Sequence, residues 1–274
     1  MSKNYSVADL RYLMARLRDP DTGCPWDLKQ TYSSIAAHTV EEVYEVVDAI
    51  ERNDLTDLSE ELGDLLFQII FYCQLAEEQG RFDFEQVVST ITSKLVRRHP
   101  HVFPEGTLES TRADSSIDEK QIKRNWESIK QQERQQKGKV GILDDVPLAL
   151  PALSRAAKLQ KRAASFGFDW TEVDDVIAKV GEELDELQYE VDRGDQPSRE
   201  DELGDLIFAC VNLARHLSID PERALARANN KFKRRFESMD SELNLKNRQP
   251  YAIDILEKAW EKAKKAENNS DSEA

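Results

Sequence analysis

Five acidic residues occur twice in this chain at one spacing: Glu41, Glu42, Glu45, Glu61 and Asp64, then Glu182, Glu183, Glu186, Glu202 and Asp205, each displaced by the same 141 positions. Carboxylates packed this tightly repel one another, so a fold that gathers them twice has a cation to hold. An all-oxygen, multiply anionic site suits a hard divalent ion, Mg²⁺ first and Mn²⁺ second. A di-iron bundle would need Glu-x-x-His, and none of His38, His99, His101 or His216 stands three residues after a clustered glutamate. One acid on a helix is ordinarily solvated surface or a complement to a helix N-terminus. Five in register, twice, call for more than that. Mg²⁺ held by helix carboxylates keeps several positions for water and is suited to bridging phosphate oxygens.

The elements that must position these side chains can be read from the same spacing. On a helix turning about 100° per residue, Glu42 and Glu45 stand roughly 60° apart, as do Glu61 and Asp64, so each pair shares a face. Val40, Val43, Val47 and Ile50 lie beside Glu42, and Val176, Val180, Leu184, Leu187 and Val191 lie beside Glu183. These are the expected buried stripes, with Glu41 and Glu182 turned outward, which favours Glu183 and Glu186 over Glu182 as ligands. Asn53 and Gly194 suit a left-handed helix terminus, and Asp57 and Ser198 are read as the N-caps that follow. Glu45 then lies about seven residues before the turn and Asp64 about seven after the cap, each about 10 Å away at 1.5 Å per residue. All four carboxylates of each set are therefore expected to converge between two antiparallel helices: Glu183, Glu186, Glu202 and Asp205, with Glu42, Glu45, Glu61 and Asp64 as the first-half set.

The rest of the chain supplies the frame. Only 10 glycines and 9 prolines in 274 residues, with apolar residues recurring at three and four, predict an almost wholly helical protein. Helices are expected over about 6–18, 33–51, 57–79, 83–98, 118–137, 149–164, 172–192, 198–216, 220–239 and 250–266. The fold class is all-α: a tandem repeat of two related helical-bundle domains, 1–137 and 138–266, with a polar tail, 267–274, expected to be disordered. Breaks are expected at 104–116, as a mobile loop, and at 138–147.

Composition excludes several classes. A formal charge of −15, from 38 Lys plus Arg against 53 Asp plus Glu, opposes binding to nucleic acid or an anionic membrane. Cys24, Cys73 and Cys210 are far apart and form neither a disulfide framework nor a zinc motif, which fits reduced cytoplasm. The first residues carry no apolar signal core, and the run Leu65 to Ala76 is too short to span a bilayer, so a soluble protein is expected.

Phosphate chemistry also needs cations and an aromatic surface. Lys231, Arg234 and Arg235 share a helix expected to pack near the second carboxylate set, and Lys94, Arg97 and Arg98 form a matching group in the first half. Such a row serves equally to solubilise a helix, and both readings stand. Lys179, one turn before Glu183, is a further candidate. Trp260, with Lys264 one turn later, is placed to stack on a nucleobase or to pack in a core. Trp26 and Trp170 are read as packing residues, and His99-Pro100-His101 as a helix-terminating loop.

With Glu-Glu-x-x-Glu, a spacer and Glu-x-x-Asp in place twice, the chain resembles the MazG family of two-repeat nucleoside triphosphate pyrophosphohydrolases. The likeness runs from Gly23-Cys24-Pro25-Trp26-Asp27 through the stretch Arg97 to Phe103 and Gly167-Phe168-Asp169-Trp170 to the region of Trp260. The resemblance implies an all-α NTP pyrophosphatase fold, a homodimer, and Mg²⁺-dependent hydrolysis of NTPs and dNTPs to monophosphate and pyrophosphate. It also implies that the second repeat is the active one, while the first serves mainly assembly. Carried over by position, the metal ligands are Glu183, Glu186, Glu202 and Asp205, and the nucleotide contacts Lys179, Lys231, Arg235 and Trp260. Water attack at the α-phosphorus is then expected, with Glu182 as proton acceptor and Lys or Arg stabilising the departing pyrophosphate. Two other readings fit the residues: a non-catalytic helical dimer that binds nucleotide or a partner protein, with cations as staples, and a narrower dUTP or dCTP pyrophosphatase.

Overall fold

The computed structural model describes residues 4–111, 118–136, 141–193, 195–245 and 251–271, and within these every regular element is helical. The chain forms two compact units, Met1–Gln132 and Glu133–Ala274. The first contains α1 (Val7–Leu17), α2 (Tyr32–Arg52), α3 (Leu55–Glu78) and α4 (Phe84–Arg98), and the division between the units falls within α5 (Glu119–Gln136). The second contains α6 (Ala152–Ala164), α7 (Val173–Arg193), α8 (Gln196–His216), α9 (Pro221–Leu243) and α10 (Ile253–Asp271). Each unit is built on an antiparallel hairpin, α2 with α3 and α7 with α8. No helix among the described residues is long and apolar enough to cross a membrane.

The hairpin turns are tighter than the sequence pattern suggests. Asn53 takes the left-handed conformation at φ 56°, and the next residue, Asp54, caps α3 by accepting from the amides of Thr56 and Asp57, both at 3.1 Å. Asp195 caps α8 in the same way, accepting from the amide of Ser198. The caps are thus three residues earlier than the expected Asp57 and Ser198, because an aspartate directly after the turn reaches the free amides first. Asp57, left within the first turn of α3, pairs with Arg52. Gly194 lies outside the described residues, as do 112–117 of the expected loop and 138–140 of the expected break.

Unit 1 has an aliphatic and aromatic core of Met14, Ile35, Ile70, Phe71 and Leu75 contributed by α1, α2 and α3. In unit 2, α6 rests on α8 and α9, and α9 lies along α10. The expected first stripe proves to be exposed, Val40 at 55%, Val43 44%, Val47 44% and Ile50 57%, while the second is divided: Val176 is buried, Val180 and Leu187 are half-buried, and Leu184 and Val191 are open. The hairpins close instead on the adjacent face, which carries Ile35, Glu42 and Ala49 on α2 and Val176 and Glu183 on α7. Two helices have one mutual interface, and in this chain the carboxylates and small residues occupy it. The polar tail also starts later than expected, since α10 continues to Asp271 and Glu267 is drawn into ion pairs with α9. Residues 272–274 lie outside the described part.

Candidate active site

The hairpin geometry decides which acids meet. Glu45 lies eight residues before Asn53 and Glu61 seven after Asp54, so these two stand at one height on facing helices. Glu42 and Asp64, eleven before and ten after, stand level one turn deeper. Glu42, Glu45 and Glu61 accordingly bring carboxylate oxygens within 4.8 Å of one another, and Glu183, Glu186 and Glu202 do the same in unit 2. Asp64 and Asp205 stand outside these tight groups, still close enough to bear on the charge of their neighbours.

Crowding shows in the acidities. Loss of hydration, then repulsion from Glu186, Asp205 and Glu183, pushes the Glu202 carboxyl above its ordinary range. Glu61 is raised the same way by lost hydration and then by Glu45 and Asp57. Burial raises Glu42 most, while a hydrogen bond from Gln68 Nε2 at 3.3 Å opposes the shift. Glu183 is the most enclosed acid of the second set, at 7% exposure. Its charge is met by Lys179, whose Nζ stands 2.9 Å from Glu183 and 2.9 Å from Glu182, and the two carboxylates hold that ammonium above the usual lysine value. Glu186 and Glu202 face an open groove of about 730 Å³ that also runs past Glu182, Gly181 and Tyr189. An all-oxygen cluster with one enclosed and one exposed acid, opening on such a groove, fits a divalent cation that must also receive a ligand from solution.

The expected cationic and aromatic partners lie elsewhere in the unit. Arg234 and Arg235 both pair with Glu267 at 2.6 Å, Trp260 packs on Phe232 with ring centres 5.2 Å apart, and Lys264 pairs with Glu261. These partners belong to α9 and α10, and Lys231 is exposed on α9. Among the described residues, only Lys179 of the predicted cations is in contact with the acids.

Sequence reasoning missed a second feature, an apolar cavity of about 360 Å³ behind the cluster, whose rim includes Lys179, Glu183 and Asp205. Its walls carry Trp170, which the sequence suggested was only a packing residue, together with Phe168 and Phe208. One side is tied by Asp169, which accepts from Arg215 Nη1 at 3.0 Å and lies 3.0 Å from His216 Nε2. The repeat itself holds the missed signal: Phe71 and Leu75 of unit 1 become Asn212 and His216 at the same displacement of 141.

Two helical hairpins, each gathering three glutamates that could hold a cation, make this a two-repeat all-α protein. The model of the MazG nucleotide pyrophosphohydrolase domain matches it twice, at residues 30–103 and 172–239. The chain is 48% identical over 259 residues to the nucleoside triphosphate pyrophosphohydrolase of Escherichia coli K12, covering 93% of this chain and 95% of that one. It is 40% identical to the nucleoside triphosphate pyrophosphohydrolase/pyrophosphatase MazG of Thermotoga maritima, covering 93% and 94%. A crystal structure of a MazG-related protein from Thermotoga maritima aligns with 46% of this chain and 99% of its own at 25% identity, with a TM-score of 0.38. The chain belongs to the MazG nucleotide pyrophosphohydrolase family.

Proposed function

We propose that the chain hydrolyses NTPs and dNTPs between the α and β phosphates at the second-repeat site, giving nucleoside monophosphate and pyrophosphate. The observation that carries the reading is the meeting of Glu183, Glu186 and Glu202 within 4.8 Å beside an open groove. These acids, with Asp205 one turn deeper, would hold Mg²⁺, or Mn²⁺ in its place. Bound there, the ion supplies neutralisation of phosphate charge and acidification of water. Glu183, enclosed beside Lys179, would help hold the ion, and Lys179, released from the acids as they take up the cation, would pair with the phosphates. Water oxygen bonds to the α-phosphorus as the bond to the β-phosphate oxygen breaks. Exposed Glu182, on the groove wall, accepts the proton.

Arg234 and Arg235 of α9 pair with Glu267 and Lys264 with Glu261 within one chain, so Lys231, Arg234 and Arg235, with Trp260 and Lys264, would act on nucleotide held by a second copy. A homodimer is supported by the open apolar stripes of α2 and α7. Free Cys24, Cys73 and Cys210 fit a cytoplasmic protein. The catalytic domain is assigned to 138–266 and the assembly domain to 1–137. Hydrolysis in ¹⁸O-water tests the chemistry: label is expected in the monophosphate, and label in pyrophosphate refutes attack at the α-phosphorus. Glu186→Gln and Asp205→Asn separate enzyme from binding module, since undiminished turnover with a lowered thermal midpoint would leave only a structural role for the acids.

A further inference from the structure

Resting on the nucleotide reading above, we infer that Arg193, at the hairpin end of the groove in unit 2, binds the terminal phosphate of the substrate and so selects triphosphates over diphosphates. The observation behind it is a change of partners between the repeats. In unit 1, Arg52 ties the turn between α2 and α3, pairing with Asp48 at 2.7 Å, with Asp54 at 3.4 Å and with Asp57. Its counterpart 141 positions later is Arg193, but Asp48 has become Tyr189 and Asp57 has become Ser198. The third aspartate, Asp195, remains as the cap of α8. Among the described residues Arg193 forms no ion pair, and its guanidinium carbon lies 4.3 Å from the ring centre of Tyr189. The tie itself passes to Arg199, which donates from Nε to the carbonyl of Glu190 at 3.1 Å and from Nη2 to that of Val191 at 2.5 Å. Arg199 stands where unit 1 has Leu58. A second arginine thus holds the turn, and Arg193 keeps an exposed charge with a planar fork suited to phosphate.

Its place fits the end of a phosphate chain. Glu186, Tyr189 and Glu190 line the groove, and Arg193 lies seven residues beyond Glu186, two turns along one face of α7 and about 10 Å away at 1.5 Å per residue. Helical side chains lean toward the N-terminus, so Arg193 reaches back over Tyr189, one turn nearer the acids. The ring holds the guanidinium in position without neutralising it, as a carboxylate would. Glu183 and Asp205 stand a turn farther from the hairpin turn than Glu186 and Glu202. A triphosphate whose α-phosphorus is held among these acids therefore extends its outer phosphates along the groove toward Arg193. Glu182, Asp185 and Glu190 add negative charge to the groove wall, and a planar cation at its end gives an anionic chain one favourable direction. In unit 1 the same direction is closed, because Asp48 both neutralises Arg52 and repels a phosphate.

Binding of a non-hydrolysable α,β-methylene NTP and of the matching α,β-methylene NDP is measured by calorimetry in MgCl₂, beside turnover of the NTP. The proteins are full-length wild type, Arg193→Gln, Arg193→Lys and Tyr189→Leu. Wild type is expected to bind the triphosphate more tightly, and Arg193→Gln to lose about ten-fold of that preference, as for one charge-assisted hydrogen bond, with its affinity for the diphosphate unchanged. Turnover should follow through KM, with kcat held within about two-fold. Lysine, which keeps the charge without the planar fork, should restore part of the preference, and loss of the Tyr189 ring should remove part of it. Arg52→Gln, which loosens the unit 1 turn, should lower the thermal midpoint and leave the preference intact. Wild type that binds both analogues equally, or a folded Arg193→Gln that keeps the preference, overturns the role of Arg193 and leaves the pyrophosphohydrolase reading standing. Equal weakening of both analogues in Arg193→Gln marks a structural role and overturns it as well. Wild type that releases no pyrophosphate from any NTP overturns that reading and this inference with it.

Discussion

Replacing Glu183 by glutamine separates the cost of burying a charge from the work done by it. In the metal-free protein the substitution removes one ion pair, at 2.9 Å, from Lys179. Lys179 is 33% exposed and keeps Glu182 at the same distance, so no ammonium is stranded and the loss is about 0–1 kcal/mol. Relief from enclosing a carboxylate at 7% exposure offsets part of that. The metal-free midpoint should therefore move by less than about 4 °C. With Mg²⁺ at about 100 times its dissociation constant, wild type gains roughly 2.7 kcal/mol. For a domain of this size that is about 5–10 °C. Glutamine keeps the shape and deletes one of the four charges proposed to hold the ion, so most of the Mg²⁺ shift should disappear, and turnover should fall by about 10²-fold or more, as for loss of a preorganised electrostatic group. The assay is a thermal melt with and without MgCl₂ at matched ionic strength, run beside pyrophosphate release from an NTP. A variant that keeps both the Mg²⁺ shift and its turnover would refute the placement of the cation at this cluster.

Three further outcomes follow from the two units. Phe71→Asn, which writes the unit 2 residue into the fully buried unit 1 core, should cost about 3–5 kcal/mol and move the urea midpoint of that unit; an unmoved midpoint would mean that unit 1 already tolerates an opening there. Arg215, and then His216, hold the Asp169 carboxyl below its ordinary value of 3.8, so the pair contributes stability that is present above that value and lost as pH falls below it. Acid unfolding of wild type should steepen in that range, and Asp169→Asn should flatten it. A methyl group on Gly181 meets nothing within 4 Å, so Gly181→Ala should raise the thermal midpoint by the equivalent of about 0.5–1 kcal/mol, and a lower midpoint would show that something packs over that turn of α7.

What could be read in the sequence was what helical geometry fixes locally. Glu183 and Glu186 share a face by their spacing alone, and α2 was expected at 33–51 and lies at Tyr32–Arg52. Contacts between helices were less legible. Moving the cap from Asp57 to Asp54 changes which acid faces which, and so Glu61 joins the tight group while Asp64 stands a turn deeper. The apolar stripe at Val43 and Val47 was misread because periodicity identifies a face that needs covering, and gives no information about whether the same chain covers it. Trp260 and Arg235 stand away from the acids for a related reason: α9 and α10 hold each other, Arg235 through Glu267, which composition had put in a tail, and Trp260 through Phe232.

The divergence of the two repeats follows from the same distinction. Both keep three glutamates within 4.8 Å, so the cluster by itself does not distinguish the two repeats. The difference lies behind the acids, where Phe71 closes the space that Asn212 leaves open. The substitution that opens the cavity also loses the burial of a phenyl ring, and unit 2 can sustain that loss only because Arg215 satisfies the amide oxygen. Replacing Asn212 by phenylalanine, the residue at the matching place in unit 1, should therefore fill the cavity and raise the urea midpoint of the second unit, and a lowered midpoint would show that the Arg215 bond to Asn212 outweighs the burial gained.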